Sequence, residues 1–133
     1  MKIIDVQGIG PAYAEKLETA GIRTTGKLLK KGATEEGRQK IESMTGIGHN
    51  LILEWVNMVD LYRIRGVGSQ YSELLEKAGV DTVVELSNRI PEHLHAKMLE
   101  ENKNANLVNK MPGIDQVTKW IQQAKQLPRV ISY

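Results

Sequence analysis

Apolar side chains recur at three- and four-residue intervals along nearly the whole chain, a spacing that predicts helices throughout and gives no cue for strands. Ala14, Leu17 and Ala20 share one face, with Tyr13 beside them, in a helix expected from Pro11 to about Ala20. Pro11 suits a first helical turn, where its missing N–H costs nothing, and Gly21 suits the stop. Thr24 is placed to cap a second, short helix that buries Leu28 and ends near Gly32. Thr34 caps a third, TEEGRQKIESM, whose early acids and late Lys40 match the helix dipole. Leu51, Ile52, Trp55, Val56, Val59 and Tyr62 form the apolar stripe of a longer helix in HNLILEWVNMVDLYRI. That run meets Arg65 and Gly66 with no Pro-, Gly- or Ser-rich linker, so its C-terminal half is expected to serve the next segment as well. Beyond it the pattern predicts a helix from Ser69 to Ala78 that stops at Gly79, then a short one capped by Thr82. Pro91 opens a further helix, PEHLHAKMLEEN, followed by a polar KNAN turn, a short helix over Asn106–Met111 and a last helix from about Asp115 to Gln126. Trp120 there occupies a place like that of Trp55, and the tail LPRVISY reads as extended or irregular.

The same text is written twice. GIGPAYAEKLETAGIRTTGKLL, from Gly8, returns 58 positions later as GVGSQYSELLEKAGVDTVVELS from Gly66. Across residues 8–30 and 66–88 ten positions are identical, among them both glycines of each turn, Tyr13/Tyr71, Leu17/Leu75, Gly21/Gly79 and Thr24/Thr82. Identity at the turn, the apolar face and the cap together means a duplicated helical unit. The reading is an all-α chain of two tandem helix-hairpin-helix units, SAM-like helical bundles over residues 1–62 and 63–133, joined through a shared long helix.

A glycine–hydrophobe–glycine turn before a helix has a specific chemical use. The glycines adopt backbone angles closed to other residues, and the central Ile9 or Val67 plugs the space between helices. The helix that follows starts with N–H groups lacking partners and with the positive end of its dipole, which together make an anion site. On double-stranded nucleic acid the anion is a backbone phosphate, and contact is indifferent to sequence and sensitive to salt. The residues assigned to such sites are Gly8, Ile9, Gly10, Pro11 and Ala12 in the first copy and Gly66, Val67, Gly68, Ser69 and Gln70 in the second, with Arg23, Lys27, Lys30, Lys31, Arg63 and Arg65 as supporting charges. Lys or Arg does not follow either second glycine, and Glu15 and Glu73 stand close by. The rival reading is therefore a scaffold whose hairpins are architectural. Two further turns are less regular: Gly46-Ile47-Gly48 keeps both glycines, whereas Gly113-Ile114-Asp115 replaces the second with a carboxylate.

Composition narrows the rest. At 133 residues the chain can bury a sizeable core, although each copy alone would be marginal. Net charge is only +2, less than a dedicated nucleic-acid binder usually carries, but six basic residues fall between Arg23 and Lys40 (Arg23, Lys27, Lys30, Lys31, Arg38, Lys40). These form either a solvated helix face or a phosphate-facing patch. There is no cysteine, hence no disulfide or thiolate site, in keeping with a cytoplasmic location. No apolar run is long enough to span a membrane, so no membrane role is expected. His93 and His95 are two apart on a helix and diverge, and with His49 distant no metal site is expected. Ser43, Ser69 and Ser72 have no His–Asp partners, and Asp5, Asp60 and Asp115 lack the spacing of a nuclease metal site, so neither enzymatic activity nor a cofactor is expected.

The order GIGP-AYAEKL-ETAGIRT-TGKLL followed by TGIG-HNLILEWV resembles the tandem helix-hairpin-helix domain at the N-terminus of archaeal and eukaryotic recombinases, over roughly Asp5 to Asp60. The whole chain, including EWVNMVDLYRIRGVG and NRIPEHLHAKMLEENK, is more similar still to a bacterial domain family of unknown function built from two such units. The resemblance implies an all-helical fold and helix-hairpin-helix turns, and brings no activity with it. The function expected from the residues is non-enzymatic contact with nucleic-acid backbone, double-stranded DNA foremost, with a protein-partner scaffold as the alternative.

Overall fold

The computed structural model describes residues 1–133 as eight α-helices, with no strand beyond a single bridge between Lys2 and Thr24. The chain divides into two compact units: Met1–Asp60 together with Val130–Tyr133, and Leu61–Arg129. The first holds α1 (Gly10–Thr19), α2 (Thr25–Gly32), α3 (Glu35–Thr45) and α4, which runs His49–Leu61. The second holds α5 (Ser69–Lys77), α6 (Val83–Ser87), α7 (Pro91–Ala105) and α8 (Ile114–Gln126). No helix is long and apolar enough to cross a membrane.

Both units enter through the same turn, and it begins before the glycines. In the first, Val6 N–H donates to Ile3 O and Ile9 N–H to Val6 O, each at 3.2 Å; 58 residues on, Ile64 N–H donates to Leu61 O and Val67 N–H to Ile64 O, each at 3.1 Å. Bonds of this i→i+3 kind advance three residues per turn, so every third side chain lies on one side. All six side chains are buried. This ladder explains why α4 stops at Leu61 and does not continue as a shared helix: from Leu61 the chain adopts the three-residue repeat, which leads its apolar side chains into the second core.

The helices α1 and α5 end alike. Gly21 N–H bonds Glu18 O and Ile22 N–H bonds Leu17 O, both at 2.9 Å, while Gly79 bonds Glu76 O at 2.9 Å and Val80 bonds Leu75 O at 2.8 Å. The paired bonds, with φ of +83° and +94° at the two glycines, make a Schellman stop. A basic side chain 58 residues apart finishes each stop: Lys31 Nζ reaches Ala20 O at 3.4 Å and Arg89 reaches Gly79 O at 2.6 Å. Thr24, Thr34 and Thr82 cap α2, α3 and α6 by accepting from Lys27, Gly37 and Glu85 N–H at 3.2, 3.0 and 3.3 Å, the roles their positions predict.

Trp55 and Trp120 are both core residues. Each packs on the tyrosine of its own unit, Tyr13 with Trp55 at 5.1 Å between ring centres and Tyr71 with Trp120 at 5.4 Å. In the second unit α8 supplies the heart of the core: Val117, Trp120, Ile121 and Ala124 cluster with Leu74, Leu75, Val83, Leu86, Leu94 and Met98.

Two local expectations change. Residues 106–111 form no helix, and α7 continues through the polar stretch to Ala105. Asn106 ends it in the left-handed conformation at φ 51°, and the Asn102 amide then holds both N–H and C=O of Val108, at 3.0 and 3.1 Å, so that segment has its polar groups satisfied without helical turns. Arg38, counted among the exposed basic residues by its neighbourhood in sequence, is buried. Its guanidinium donates to Gly32 O and Ser132 O, each at 2.8 Å, and lies 5.8 Å from the Tyr133 ring centre. With Ser132 N–H on Ala33 O at 2.8 Å, these contacts fasten the final residues to the first unit. Ile114 lies exposed where Ile47 in the matching turn is buried, so the two later turns differ in packing as well as in sequence.

Candidate functional site

The two glycine turns hold backbone angles that favour glycine at Gly8, Gly10 and Gly66, and, contrary to the expectation from sequence, not at Gly68. Ile9 and Val67 are buried, while Gly8 and Gly66, with φ of +90° and +93°, lie exposed at the surface. Pro11 and Ala12 are exposed in the first turn of α1, and Gln70 is exposed in that of α5. Neither α1, entered from Ile9, nor α5, entered from Gly68, has a side-chain cap, in contrast to the threonine-capped α2, α3 and α6. The turns part company at the second glycine: Gly10 has φ +66°, whereas Gly68 is extended at φ −117°. Ser69 is engaged locally, its hydroxyl 2.9 Å from that of Tyr62. Burial raises the Tyr62 phenol above its ordinary range, and the Ser69 hydrogen bond works against that rise.

The basic residues do not gather at the turns as a group. Lys31 sits at the far end of α1 from Gly8–Gly10, on the carbonyl of Ala20. Lys27 and Lys30 are exposed on α2, and Arg23 is exposed ahead of it. Arg63 directs both terminal nitrogens to Pro128 O, at 2.8 and 2.6 Å. Arg65 alone among these lies beside a glycine turn with its side chain exposed, while its backbone N–H is held by Gln123 Oε1 at 2.9 Å.

Beside Gly66 runs an open groove of about 720 Å³, continuous in its lining with a second of about 360 Å³, and sharing Arg65, Lys119 and Gln123 with it. Trp120 forms part of its wall. A Cβ on Gly66 would stand 3.3 Å from Trp120 Nε1, a tight contact, and 3.8 Å from Gln116 Nε2, an ordinary one, so the bare glycine eases the approach of the indole nitrogen to the turn. The indole N–H of Trp120 donates to no protein acceptor, although the residue is 1 % exposed. Gln116, Lys119, Gln123 and Gln126 form one stripe along α8. None of the four stands out in the sequence, because polar residues on an amphipathic helix are its default solvent face. The signal that finds them is their spacing of three and four around Trp120. No three His, Asp or Glu side chains converge in a way that would hold a metal ion.

Residues 7–127 match the family described as a domain of unknown function, DUF4332, and with nearly the whole length covered the chain belongs to it. No curated protein and no solved structure matches the chain.

Proposed function

We propose that this DUF4332 member is a non-enzymatic helix-hairpin-helix protein that contacts the phosphate backbone of nucleic acid, double-stranded DNA foremost, without reading its sequence. One observation carries the reading: both copies present an exposed glycine turn that opens directly into a helix with no side-chain cap. Threonines close the starts of α2, α3 and α6; α1 and α5, like α7 and α8, have no such cap, and at α1 and α5 the uncapped start follows an exposed glycine turn, which suits a phosphate oxygen. The sequence from roughly Asp5 to Asp60 resembles the recombinase N-terminal domain named above, and the absence of cysteine supports a cytoplasmic setting.

Neutral amides and few cations imply weak binding, micromolar or poorer. Fluorescence anisotropy with labelled duplexes of unrelated sequence tests this: similar affinities are expected, falling steeply between about 50 and 200 mM salt. Absence of binding to DNA or RNA at the low end of that range refutes the reading.

A second reading, a protein-interaction scaffold, has its own support in the first unit. There an apolar pocket of about 130 Å³ between α1 and α3 is lined by Ala20, Ile22, Ile41 and Met44, with Lys31 and Lys40 at its sides and Met44 56 % exposed.

A further inference from the structure

The two units keep the same frame and differ in the charge placed around it. Residues 3–31 match 61–89 at a spacing of 58, and the buried positions of α4 match those of α8 at a spacing of 65: Ile52 with Val117, Trp55 with Trp120, Val56 with Ile121. On that frame the exposed Gln7 and Glu54 of the first unit correspond to the exposed Arg65 and Lys119 of the second, while Asp5 corresponds to Arg63, whose terminal nitrogens are held by Pro128 O. The two exposed matched positions therefore change from net −1 to net +2. The α8 stripe changes too, because Gln116 and Gln123 stand where the first unit has Leu51 and Met58.

We infer that the phosphodiester-binding site lies in the second unit alone, in the groove beside Gly66, with Arg65 and Lys119 as its cations and Gln116, Gln123 and the Trp120 indole N–H as its neutral donors. This rests on the nucleic-acid reading and narrows it to one face. The donors are independent of the helix amides. Gln123 gives its carbonyl oxygen to Arg65 N–H and so keeps its NH2 group for a ligand. The indole N–H of a buried tryptophan, lacking a protein acceptor and standing at the groove, is a donor aimed at whatever fills it. A groove of about 720 Å³ lies within the ~300–1,000 Å³ typical of ligand sites. It is open, which suits a backbone lying across it better than an enclosed small molecule. Its lining has no hydrophobic side chain other than Trp120, and it contains one carboxylate, Asp115. A ligand held there is anionic and rich in acceptors, as a phosphodiester is; amide and guanidinium donors are the groups that commonly contact phosphate and sugar.

The test rewrites the second unit with the side chains of the first. Arg65→Gln with Lys119→Glu installs the residues found at positions 7 and 54, all on exposed surface. Anisotropy with a labelled duplex is measured across a salt series for wild type, this double variant, and a control, Lys97→Glu with Lys103→Gln on α7, that changes net charge equally. Circular dichroism and melting are followed alongside. The double variant is expected to bind at least about tenfold more weakly, with a salt slope reduced by about two, the contribution of two phosphate contacts. The control should stay within about threefold of wild type. Asp115→Asn is expected to tighten binding. If wild type binds while the double variant keeps its affinity and slope, the groove is not the site, although the nucleic-acid reading stands. If the control loses as much as the double variant, overall charge and not this groove governs binding, and the assignment falls. If wild type does not bind at low salt, both fall together.

Discussion

Replacing Trp120 tests how the second unit is held together. The side chain is 1 % exposed and sits among α6, α7 and α8 residues. Buried aromatics remove about 150–250 Å² from water, which at ~25 cal/mol per Å² is about 4–6 kcal/mol as an upper bound. Truncation to alanine usually costs ~3–5 kcal/mol, since the surroundings only partly close on the cavity. A unit of about 70 residues at ~0.05–0.15 kcal/mol per residue has roughly 3–10 kcal/mol in total. Trp120→Ala should therefore remove a large share of the stability of Leu61–Arg129 and separate its urea transition from that of the first unit. Trp120→Phe should cost much less, about 1–2 kcal/mol, because the indole N–H has no protein acceptor to lose. Hydrogen exchange resolved by segment shows which unit opens. A Trp120→Ala protein with wild-type urea midpoints would refute the core assignment. A phenylalanine variant as damaged as the alanine one would show that the indole nitrogen carries a structural bond.

Arg38→Ala should cost about 2–4 kcal/mol, from two charge-assisted hydrogen bonds and a buried stem; removing residues 130–133 should destabilise the same unit, and the two changes together should cost less than their sum, as a double-mutant cycle in urea would show. Tyr62 titrates above its ordinary range, so the folded state holds a proton that the unfolded chain releases near pH 10. Its contribution is complete below that pH and is lost as pH rises through the raised value, and Tyr62→Phe should flatten the alkaline fall in stability measured by thermal melts. Gly10→Ala should cost about 1–2 kcal/mol for its left-handed backbone, whereas Gly68→Ala, extended and with open space around a new Cβ, should be nearly neutral on the same melts.

The features legible in the sequence are those whose physics is local. A threonine three residues before the N–H it caps, or a glycine after the last apolar residue of a stripe, needs nothing from the rest of the chain. The tryptophans are legible because bulk on the apolar face of a helix has only the core to enter. The lead-in ladder was not visible as an element: Ile3, Val6 and Ile9 are too few for a period to declare itself, and only the identical bonds of Leu61, Ile64 and Val67 show that the repeat starts there. Arg38 was misplaced because arginine belongs by default on the surface, and the carbonyl that receives it, on Ser132, is 94 residues away. The turn residues of the candidate site were legible from glycine spacing. Gln116, Lys119 and Gln123 were not, because only the folded groove brings α8 alongside Gly66.

Duplication leaves two kinds of position, and the structure separates them. Where a residue fixes the frame, its counterpart has the same job: the Schellman glycines, the capping threonines, Ala14 and Ser72 buried where α1 and α5 start their apolar faces, and Lys31 and Arg89 on the carbonyls at the helix stops. Lys31 and Arg89 also show that a shared charge can be structural, since both are occupied by backbone oxygen. Where a residue is exposed on that frame, the copies diverge in charge, as at Gln7/Arg65 and Glu54/Lys119. Exposed charges contribute little to stability, so these positions can differ between the copies without disturbing the frame. The proposed binding face therefore draws on the differences between the repeats, while the fold rests on what they share.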